Sequence, residues 1–350
     1  MSKTGSHTMV SGYRHLPGNH CGSTALRNLL AFHGLDASEE LVFGLGAGAC
    51  FYYIVVEGGS PSRFTNGRTA RLEEQFVELT GAPIRLDTTD DTGESWERAR
   101  AVIDSGRPAI LLTDLYHLDH YGRSAHFPGH AVVLAGYDPE RAYLSDTGFE
   151  ELQTTSLESL ALARHEQHPA YPISGHMFHI QEGASLGDLA GAAPRAIERA
   201  VRGMLEPELG EFQGLPALRR FTAEVGEWPH AAEDWQWCAR FGYQVIERRG
   251  TGGGNFRGMY ARFLAEVGYD EAALAREAAE RWTALARSLQ RASEADEACP
   301  TLWSDISDDA AAVLDVEEHL WTALAARRLR VAPQATTEAF GTPGATKSTS

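Results

Sequence analysis

The chain has 350 residues, 43% of them hydrophobic, which is enough for two globular domains with ample cores. Its 31 basic and 48 acidic residues give a formal net charge of −17, which argues against a general binder of nucleic acid or anionic membranes. No stretch approaches the roughly 18 consecutive apolar residues of a membrane span. The four cysteines have spacings unlike a disulfide framework or a zinc site. We expect Cys50 and Cys238 to be small buried hydrophobes and Cys299 to be a surface residue.

The N-terminal region contains the first candidate for chemistry. Residues 1–12 are mostly polar without an apolar signal region, so we predict that they are disordered and that the protein is cytoplasmic. The first predicted helix covers 22–33, and Cys21 lies directly before it. A thiol at a helix start experiences the positive end of the helix dipole, which favours the thiolate. Cys21 is therefore a candidate nucleophile, with a buried structural thiol as the alternative.

The elements that follow, up to about residue 184, alternate between helices and short strands. Apolar periodicity predicts helices at 38–44, 67–80, 95–105 and 156–164, and short apolar runs predict strands at 83–87, 108–114, 130–137, 141–146 and 176–181. This order predicts an α+β domain over residues 13–184, with an opening helical layer that carries the nucleophile and a mostly antiparallel sheet.

Two residues of the predicted sheet are candidate partners for Cys21. His130 begins one strand and Asp146 ends the next, so a hairpin would bring them to the same end of paired antiparallel strands. There the Asp146 carboxylate could accept an imidazole N–H and orient the ring of His130 towards Cys21. We predict that His130 is the general base and Asp146 the orienting group. The alternatives are a core histidine and a turn-forming aspartate.

A polar and aromatic loop lies between the strands 108–114 and 130–137. We predict that this loop borders a cleft at Cys21 and His130, and that Asp114, Tyr116 and Asp119 bind a polyhydroxylated or cationic substrate there. The alternative is a zinc or manganese site, because the loop also holds a cluster of suitable ligands: His117, Asp119, His120 and His126. We favour the loop interpretation and predict no metal.

From residue 185 onwards the pattern is helical. Apolar residues recur at intervals of three and four and predict helices at 190–204, 215–226, 230–248, 254–267, 270–294 and 303–328. We therefore predict a helical domain over residues 185–332, followed by a disordered tail over 333–350 that is rich in Thr, Ala, Gly, Ser and Pro.

A glycine-rich loop, Gly-Thr-Gly-Gly-Gly-Asn at 250–255, lies at the start of the predicted helix 254–267. It lacks the preceding strand and the following lysine of a nucleotide-binding loop. Its backbone N–H groups could nevertheless hold the phosphate of a pantetheine arm, with a flexible connection between helices as the alternative. The residues of this candidate site are Arg249, Gly252, Gly253 and Arg257.

Three motifs resemble the N-terminal domain of the butirosin-biosynthesis acyltransferase family. They are His-Cys-Gly-Ser-Thr-Ala-Leu at 20–26, Gly-Leu-Asp-Ala-Ser-Glu-Glu-Leu-Val-Phe-Gly-Leu-Gly at 34–46, and Gly-His-Ala-Val-Val-Leu-Ala-Gly-Tyr-Asp at 129–138. The resemblance covers residues 13–180 and implies a papain-like cysteine-peptidase fold that is used for acyl transfer. The region after 185 is similar to the helical domain that often follows in this family, and the family suggests a homodimer through that domain.

The resemblance also defines what is unusual about the candidate site. The oxyanion formed during acyl transfer needs hydrogen-bond donors, and the backbone N–H of Cys21 is the first candidate. Peptidases of this class place a Gln upstream of the cysteine, but none occurs between positions 10 and 21. Asn19, His20 and His15 are the remaining candidates for a second donor, and the missing Gln argues against ordinary proteolysis.

Together these features predict an amide-forming acyltransferase of natural-product biosynthesis. Its donor would be an acyl or aminoacyl thioester on the phosphopantetheine arm of an acyl- or peptidyl-carrier protein, with no cofactor bound to the enzyme itself. Its acceptor would be an amine of a small molecule, with an amino sugar as the expected class. A cysteine peptidase or amidase with the same three residues is one alternative. A catalytically silent module that binds a carrier or ligand is another.

Overall fold

The structure is a computed structural model that describes residues 7–168, 171–184 and 186–331, with side chains up to residue 327. The strands are β1 (Thr8–Met9), β2 (Ala49–Val55), β3 (Arg63–Arg68), β4 (Ile84–Asp87), β5 (Ala109–Thr113), β6 (His130–Tyr137), β7 (Arg141–Ser145), β8 (Gln153–Ser156), β9 (Gln167–His168), β10 (Tyr171–Pro172) and β11 (Met177–Ile180). The helices are α1 (Cys21–Phe32), α2 (Glu39–Leu45), α3 (Leu72–Thr80), α4 (Thr92–Asp104), α5 (Leu157–Ala163), α6 (Ala193–Leu205), α7 (Gly214–Glu224), α8 (Trp228–Ala231), α9 (Trp235–Glu247), α10 (Arg257–Glu266), α11 (Ala272–Glu294) and α12 (Pro300–Val331).

The main sheet has seven strands, and every pair in it is antiparallel. Six of them follow the order β4-β11-β5-β6-β7-β8, and β1 pairs with the last residues of β6. Beyond residue 186 the described chain contains helices and 3₁₀ turns but no named strand. The mixed α/β prediction, with a mostly antiparallel sheet and a helical C-terminal region, is thus confirmed. No described helix combines the length and the apolar character needed to span a bilayer.

The start of the chain differs from the prediction. Thr8 and Met9 pair with Tyr137 and Gly136 of β6, and Val10 is buried. The prediction of disorder over residues 1–12 is therefore wrong for this segment, because the backbone completes the sheet. Residues 1–6 and the predicted tail at 333–350 lie outside the described residues.

The hairpin of β2 and β3 is absent from the predicted elements. The sequence predicts a helix over 67–80, but Arg68 ends β3 and the helix begins only at Leu72. Strand β2 has the sequence Ala-Cys-Phe-Tyr-Tyr-Ile-Val, whose aromatic and β-branched residues are typical of a strand. β8 is a further unpredicted strand, and the predicted helix 230–248 is divided into α8 and α9.

This hairpin joins the two halves of the chain. Phe51 of β2 contacts Phe221 of α7 and Trp282 of α11, with ring centroids 5.8 and 5.3 Å apart. The indole N–H of Trp228 donates to the hydroxyl of Tyr53 at 3.3 Å. One continuous hydrophobic cluster therefore includes residues from α1, the hairpin and the C-terminal helices. The predicted helical region is packed into the same core as the region that carries Cys21.

The cysteine environments agree with the predictions. Cys50 and Cys238 are buried, Cys299 is exposed, and all four thiols are free. Cys21 is half-buried at the start of α1, so it has partial access to solvent and lies at a helix N-terminus.

Candidate active site

The start of α1 is built to present Cys21. His20 is the N-cap residue in extended conformation, and its side chain accepts a hydrogen bond from the backbone N–H of Ser23 at 3.2 Å. Cys21 is the first residue of the helix, so its sulfur lies in the first turn, where unpaired N–H groups favour negative charge. The cap thus places a thiol where a thiolate is stabilised.

The structure brings Cys21, His130 and Asp146 together. His130 is the first residue of β6 and Asp146 follows β7, and the two strands pair with Val133 opposite Ser145. His130 Nε2 lies 3.0 Å from Asp146 Oδ1, and the His130 side chain lies close enough to the Cys21 thiol to lower its pKa. Since Nε2 is occupied by the carboxylate, Nδ1 is the nitrogen left for the sulfur. The hairpin predicted from the sequence therefore brings His130 next to Asp146, and His130 lies between this carboxylate and Cys21.

Burial and charge set the protonation of this chain. Burial raises the pKa of the Cys21 thiol, but the hydrogen bond and charge of His130, helped by Arg68, outweigh it and leave the pKa below its usual range. Burial lowers the pKa of His130, whereas the charge and hydrogen bond of Asp146 and the contact with Cys21 raise it to about 10. Together these shifts favour a thiolate and imidazolium pair.

Asp146 is held by more side chains than the sequence predicts. Its Oδ2 lies 2.9 Å from His120 Nε2, and the Tyr121 hydroxyl donates to Oδ1 at 3.3 Å. Burial raises the pKa of the Asp146 carboxyl, but the charges and hydrogen bonds of His130 and His120 hold it well below its usual range. His120 belongs to the predicted cleft loop, so its proximity was expected but its contact with the carboxylate was not.

A buried carboxylate anchors the nucleophile loop. Glu39, the first residue of α2, accepts hydrogen bonds from the backbone N–H groups of Asn19 and His20 at 3.0 and 2.7 Å. It also accepts from the hydroxyls of Ser23 and Thr24, each at 3.1 Å. Sequence reasoning missed Glu39, although it lies within one of the motifs that carry the family resemblance.

The two residues predicted to support the oxyanion lie beside Cys21. The side-chain amide of Asn19 donates to Glu39 Oε2 at 3.2 Å, so it holds the loop. His20 is buried, and its Nε2 has no hydrogen-bond partner among the described residues. Burial, together with the charges of Arg68 and His130, lowers the pKa of His20 well below its usual range, which keeps the ring neutral. The second donor for the oxyanion remains a prediction for His20.

Two of the predicted substrate ligands hold the cleft loop instead. Asp114 is fully buried and accepts hydrogen bonds from the backbone of Tyr116 and Phe127 at 3.0 and 2.9 Å, so substrate contact is excluded by burial. Asp119 accepts from the backbone N–H of Ser156 at 2.7 Å and from the Ser159 hydroxyl at 2.6 Å, which docks α5.

The third predicted ligand, Tyr116, stacks on His126 with ring centroids 4.1 Å apart, and its contact with a substrate stays a prediction. The loop histidines are also divided between partners. Ligand atoms of His117, His126 and Glu166 lie within 4.8 Å of one another, whereas Asp119 and His120 bind α5 and Asp146. The four-residue metal cluster considered from the sequence is therefore not assembled.

The glycine-rich loop does not offer the predicted phosphate site. Arg257 is fully buried and forms an ion pair with Glu317 at 2.7 Å, so it cannot reach a ligand. The backbone N–H of Gly253 donates to the Thr251 hydroxyl at 3.0 Å, which closes part of the predicted nest. Gly252 has a φ of 64° and packs against Met259. The predicted phosphate site is therefore contradicted for Arg257 and Gly253, whose groups already have intramolecular partners.

Arg249, the remaining member of that prediction, is exposed and also has intramolecular partners. Its guanidinium donates to Gln244 Oε1 at 2.8 Å and lies 4.8 Å from the ring centroid of Phe241. The loop has a different role, because it packs against the nucleophile segment. A Cβ on Gly250 would lie 2.6 Å from the carbonyl oxygen of Asn19, and the ring of Phe256 is 5.7 Å from that of His20.

Two further charged side chains, neither of them predicted, border Cys21. Arg68 of β3 lies with its guanidinium 6.0 Å from the ring centroid of Phe127 and contributes to lowering the pKa of Cys21. Glu73 of α3 is buried and lies against Gly22. Sequence reasoning missed both because it predicted one helix over 67–80 and assigned no site residue to it.

Two family models match the chain. Residues 20–147 match the family described as Butirosin biosynthesis protein H, N-terminal, and residues 158–324 match a family described as Domain of unknown function (DUF4872). The first match contains Cys21, His130 and Asp146, and the second contains most of the C-terminal helices. No curated protein matches the chain.

Proposed function

Residues 20–147 belong to the N-terminal family of butirosin biosynthesis protein H, as the sequence motifs predict, and from this premise we propose a carrier-protein-dependent acyltransferase that forms amide bonds. The family indicates a transferase of antibiotic biosynthesis. The further steps of the proposal are the Cys21-His130-Asp146 site, the thioester donor and the amine acceptor. We also propose that the sheet and its opening helix are a papain-like fold, on the basis of the order of these residues along the chain.

One observation carries the proposal: a half-buried sulfur in the first turn of a helix contacts an imidazole that a buried carboxylate holds from the other side. The lowered pKa of Cys21 favours the thiolate nucleophile, and the raised pKa of His130 provides the proton that a leaving thiol requires. This combination suits acyl transfer from a thioester through an acyl-enzyme.

The reaction would proceed in two steps. The Cys21 thiolate attacks the thioester carbonyl, the backbone N–H at the helix start stabilises the oxyanion, and the carrier thiol leaves with the proton from His130. An amine then attacks the acyl-enzyme, the Cys21 thiolate departs, and His130 accepts a proton as the amide forms. Asp146 keeps the imidazole oriented throughout and stabilises its protonated form.

The docking of a carrier protein cannot rely on Arg257 and Gly253 to bind the phosphate of its pantetheine arm, because both have intramolecular partners. Carrier proteins are usually acidic, and this chain has a net charge of −17, so docking requires a local basic surface. Arg257 is buried in an ion pair with Glu317, and Arg262 pairs with Glu40 at 2.8 Å, so the charge of each is already matched by a carboxylate. We propose that the pantetheine arm carries most of the recognition by entering the cleft at Cys21.

The proposal is tested by trapping the acyl-enzyme. The protein is incubated with a panel of acyl-pantetheine and acyl-carrier thioesters, and intact-protein mass spectrometry followed by peptide mapping locates any adduct. We expect an acyl adduct on the peptide that carries Cys21, its absence in Cys21→Ser, and its discharge by small-molecule amines. Cys299→Ser is the matched control and should acylate like the wild type, because its thiol is exposed and free.

Two results would contradict the proposal. Turnover of peptides or simple amides without any reaction of thioesters would support a cysteine peptidase or amidase with the same three residues. Binding of a carrier without an adduct, together with unchanged function in Cys21→Ser, would support a silent binding module.

A further inference from the structure

A carboxyl group lies directly beside the nucleophile. Glu73 is the second residue of α3, and only 7% of its surface is exposed. Its Oε1 lies 2.1 Å from the position that a Cβ on Gly22 would occupy. Glu73 therefore reaches the residue after Cys21 because that residue is a glycine, and any larger side chain would displace the carboxyl.

Glu73 has no salt-bridge partner in the described part of the chain, and the hydrogen bond that its carboxyl accepts there comes from its own backbone N–H. Burial raises the pKa of Glu73, while that N–H and the charges of Arg68 and His130 oppose the shift without cancelling it. The titratable groups that face it from the surrounding elements are Cys21, His20, Arg68, Glu74, His130 and Tyr171.

Cys21, His130 and Asp146 together provide one proton acceptor too few for an amine that arrives as an ammonium ion. An amine in water at neutral pH is an ammonium ion, so it must lose one proton before its nitrogen can attack and a second as the amide forms. In the first step His130 gives its proton to the leaving carrier thiol. In the second step His130 takes back one proton as the thiolate of Cys21 is restored. One ammonium proton therefore has no acceptor among Cys21, His130 and Asp146.

We propose that Glu73 binds the ammonium group of the acceptor and takes its first proton, which converts it into the attacking amine. This inference rests on the proposed function and deepens it, because it assigns a cationic primary amine as the acceptor class. The protonated carboxyl then releases its proton to solvent, so each turnover consumes one thioester and one ammonium ion and yields amide, thiol and one proton. A base with a raised pKa accepts such a proton more readily than an exposed carboxylate does.

The experiment separates the two steps in a single turnover. Glu73→Gln keeps the shape of the side chain and removes the base. We expect the acyl adduct on Cys21 to form at the wild-type rate, while its discharge by a primary alkylamine at pH 7 slows by about 100-fold. The discharge rate should recover about tenfold per pH unit as the neutral amine becomes more abundant. Glu74→Gln, the neighbour that pairs with Arg71, is the matched control and should behave like the wild type.

A neutral nucleophile provides a chemical rescue. Hydroxylamine is largely uncharged at pH 7, so it needs no first proton acceptor and should discharge wild-type and Glu73→Gln acyl-enzymes at equal rates. Glu73→Asp, which keeps the charge on a shorter side chain, should give an intermediate rate with the alkylamine, and it serves as the test if Glu73→Gln fails to fold.

Each contrary result has a distinct meaning. Unchanged alkylamine discharge in Glu73→Gln overturns the proposal, and so does an equal loss with hydroxylamine. Slower formation of the acyl adduct in Glu73→Gln would place the role of Glu73 in the first step and would also overturn the proposal. If the wild-type protein forms no adduct with any thioester, the proposed function fails first, and this is seen before any amine is added.

Discussion

The Cys21 thiol and the His130 imidazole control each other's protonation, and this coupling can be measured directly. The pKa of Cys21 is lowered and that of His130 is raised to about 10, so each charged group stabilises the other as a thiolate and imidazolium pair. His130→Asn leaves burial as the dominant influence on the thiol and raises its pKa. We expect alkylation of Cys21 by iodoacetamide at pH 7 to slow by about tenfold or more, measured by mass spectrometry of the labelled peptide.

The same chain provides an internal reference for this measurement. Cys299 is exposed and should be alkylated at the same rate in both proteins. An identical pH profile for Cys21 in the wild type and in His130→Asn would show that the imidazole does not control the thiol.

Glu39 is the residue on which the position of the nucleophile loop depends. Glu39→Leu removes the carboxylate that accepts from the backbone N–H groups of Asn19 and His20 and from the hydroxyls of Ser23 and Thr24. We expect the free energy of unfolding to fall by about 2–4 kcal/mol in urea titrations. Glu40→Leu removes only the surface ion pair with Arg262 and should cost less than about 1 kcal/mol. Equal losses in the two variants would contradict this role.

At the scale of elements, the glycine-rich loop braces the segment before α1. Gly250 has a φ of +70°, and a Cβ there would lie 2.6 Å from the Asn19 carbonyl oxygen. Gly250→Ala should therefore displace the nucleophile segment and slow acylation of Cys21 by on the order of 100-fold. The measurement is the rate of adduct formation, with circular dichroism to establish that the variant is folded.

Gly268→Ala is the matched control for this prediction. Gly268 has a φ of +76° but nothing within 4 Å of an added Cβ, so its substitution carries the same backbone strain without the collision. It should leave the rate of adduct formation unchanged. Slowing in both variants would mean that strain, and not contact with Asn19, is responsible.

Elements with a clear apolar pattern and flanking turn residues could be predicted from the sequence, whereas contacts between distant elements could not. Strand β6 has its predicted bounds because its apolar run is flanked by turn residues, and the hairpin that follows explains why His130 meets Asp146. Nothing in the sequence distinguishes Glu39 and Glu73 from exposed acidic residues, because their burial results from packing between distant elements. The β2 strand was recognisable from its aromatic and β-branched residues and was simply missed.

At the scale of the whole molecule, the shared core makes the two halves one cooperative unit. The hydrophobic cluster runs from α1 through the β2–β3 hairpin to the C-terminal helices. We expect the urea unfolding curve from tryptophan fluorescence to coincide with the curve for exposure of Cys21 to alkylation. Trp96 is the only one of seven tryptophans before residue 228, so fluorescence reports mainly on the C-terminal helices. Two separate midpoints would contradict a common core.

The buried pair of Arg257 and Glu317 belongs to this scale as well. The Arg257 guanidinium also donates to the carbonyl of Gly67 at 3.0 Å, and the indoles of Trp282 and Trp321 each donate to Glu317 at 2.6 Å. One ionic network therefore ties α10, α11 and α12 to β3, the strand that ends with Arg68. Removal of one charge from such a buried pair is strongly destabilising, which explains why Arg257 has no freedom to serve a ligand.

The junction between the two matched families falls within the main sheet. Strand β11 lies beyond the junction, yet it pairs between β4 and β5, which both precede it. A recombination event at that junction would leave β4 detached and β5 with an open edge, inviting aggregation. An exchanged C-terminal region would therefore have to supply a strand that fits between β4 and β5, along with its helices.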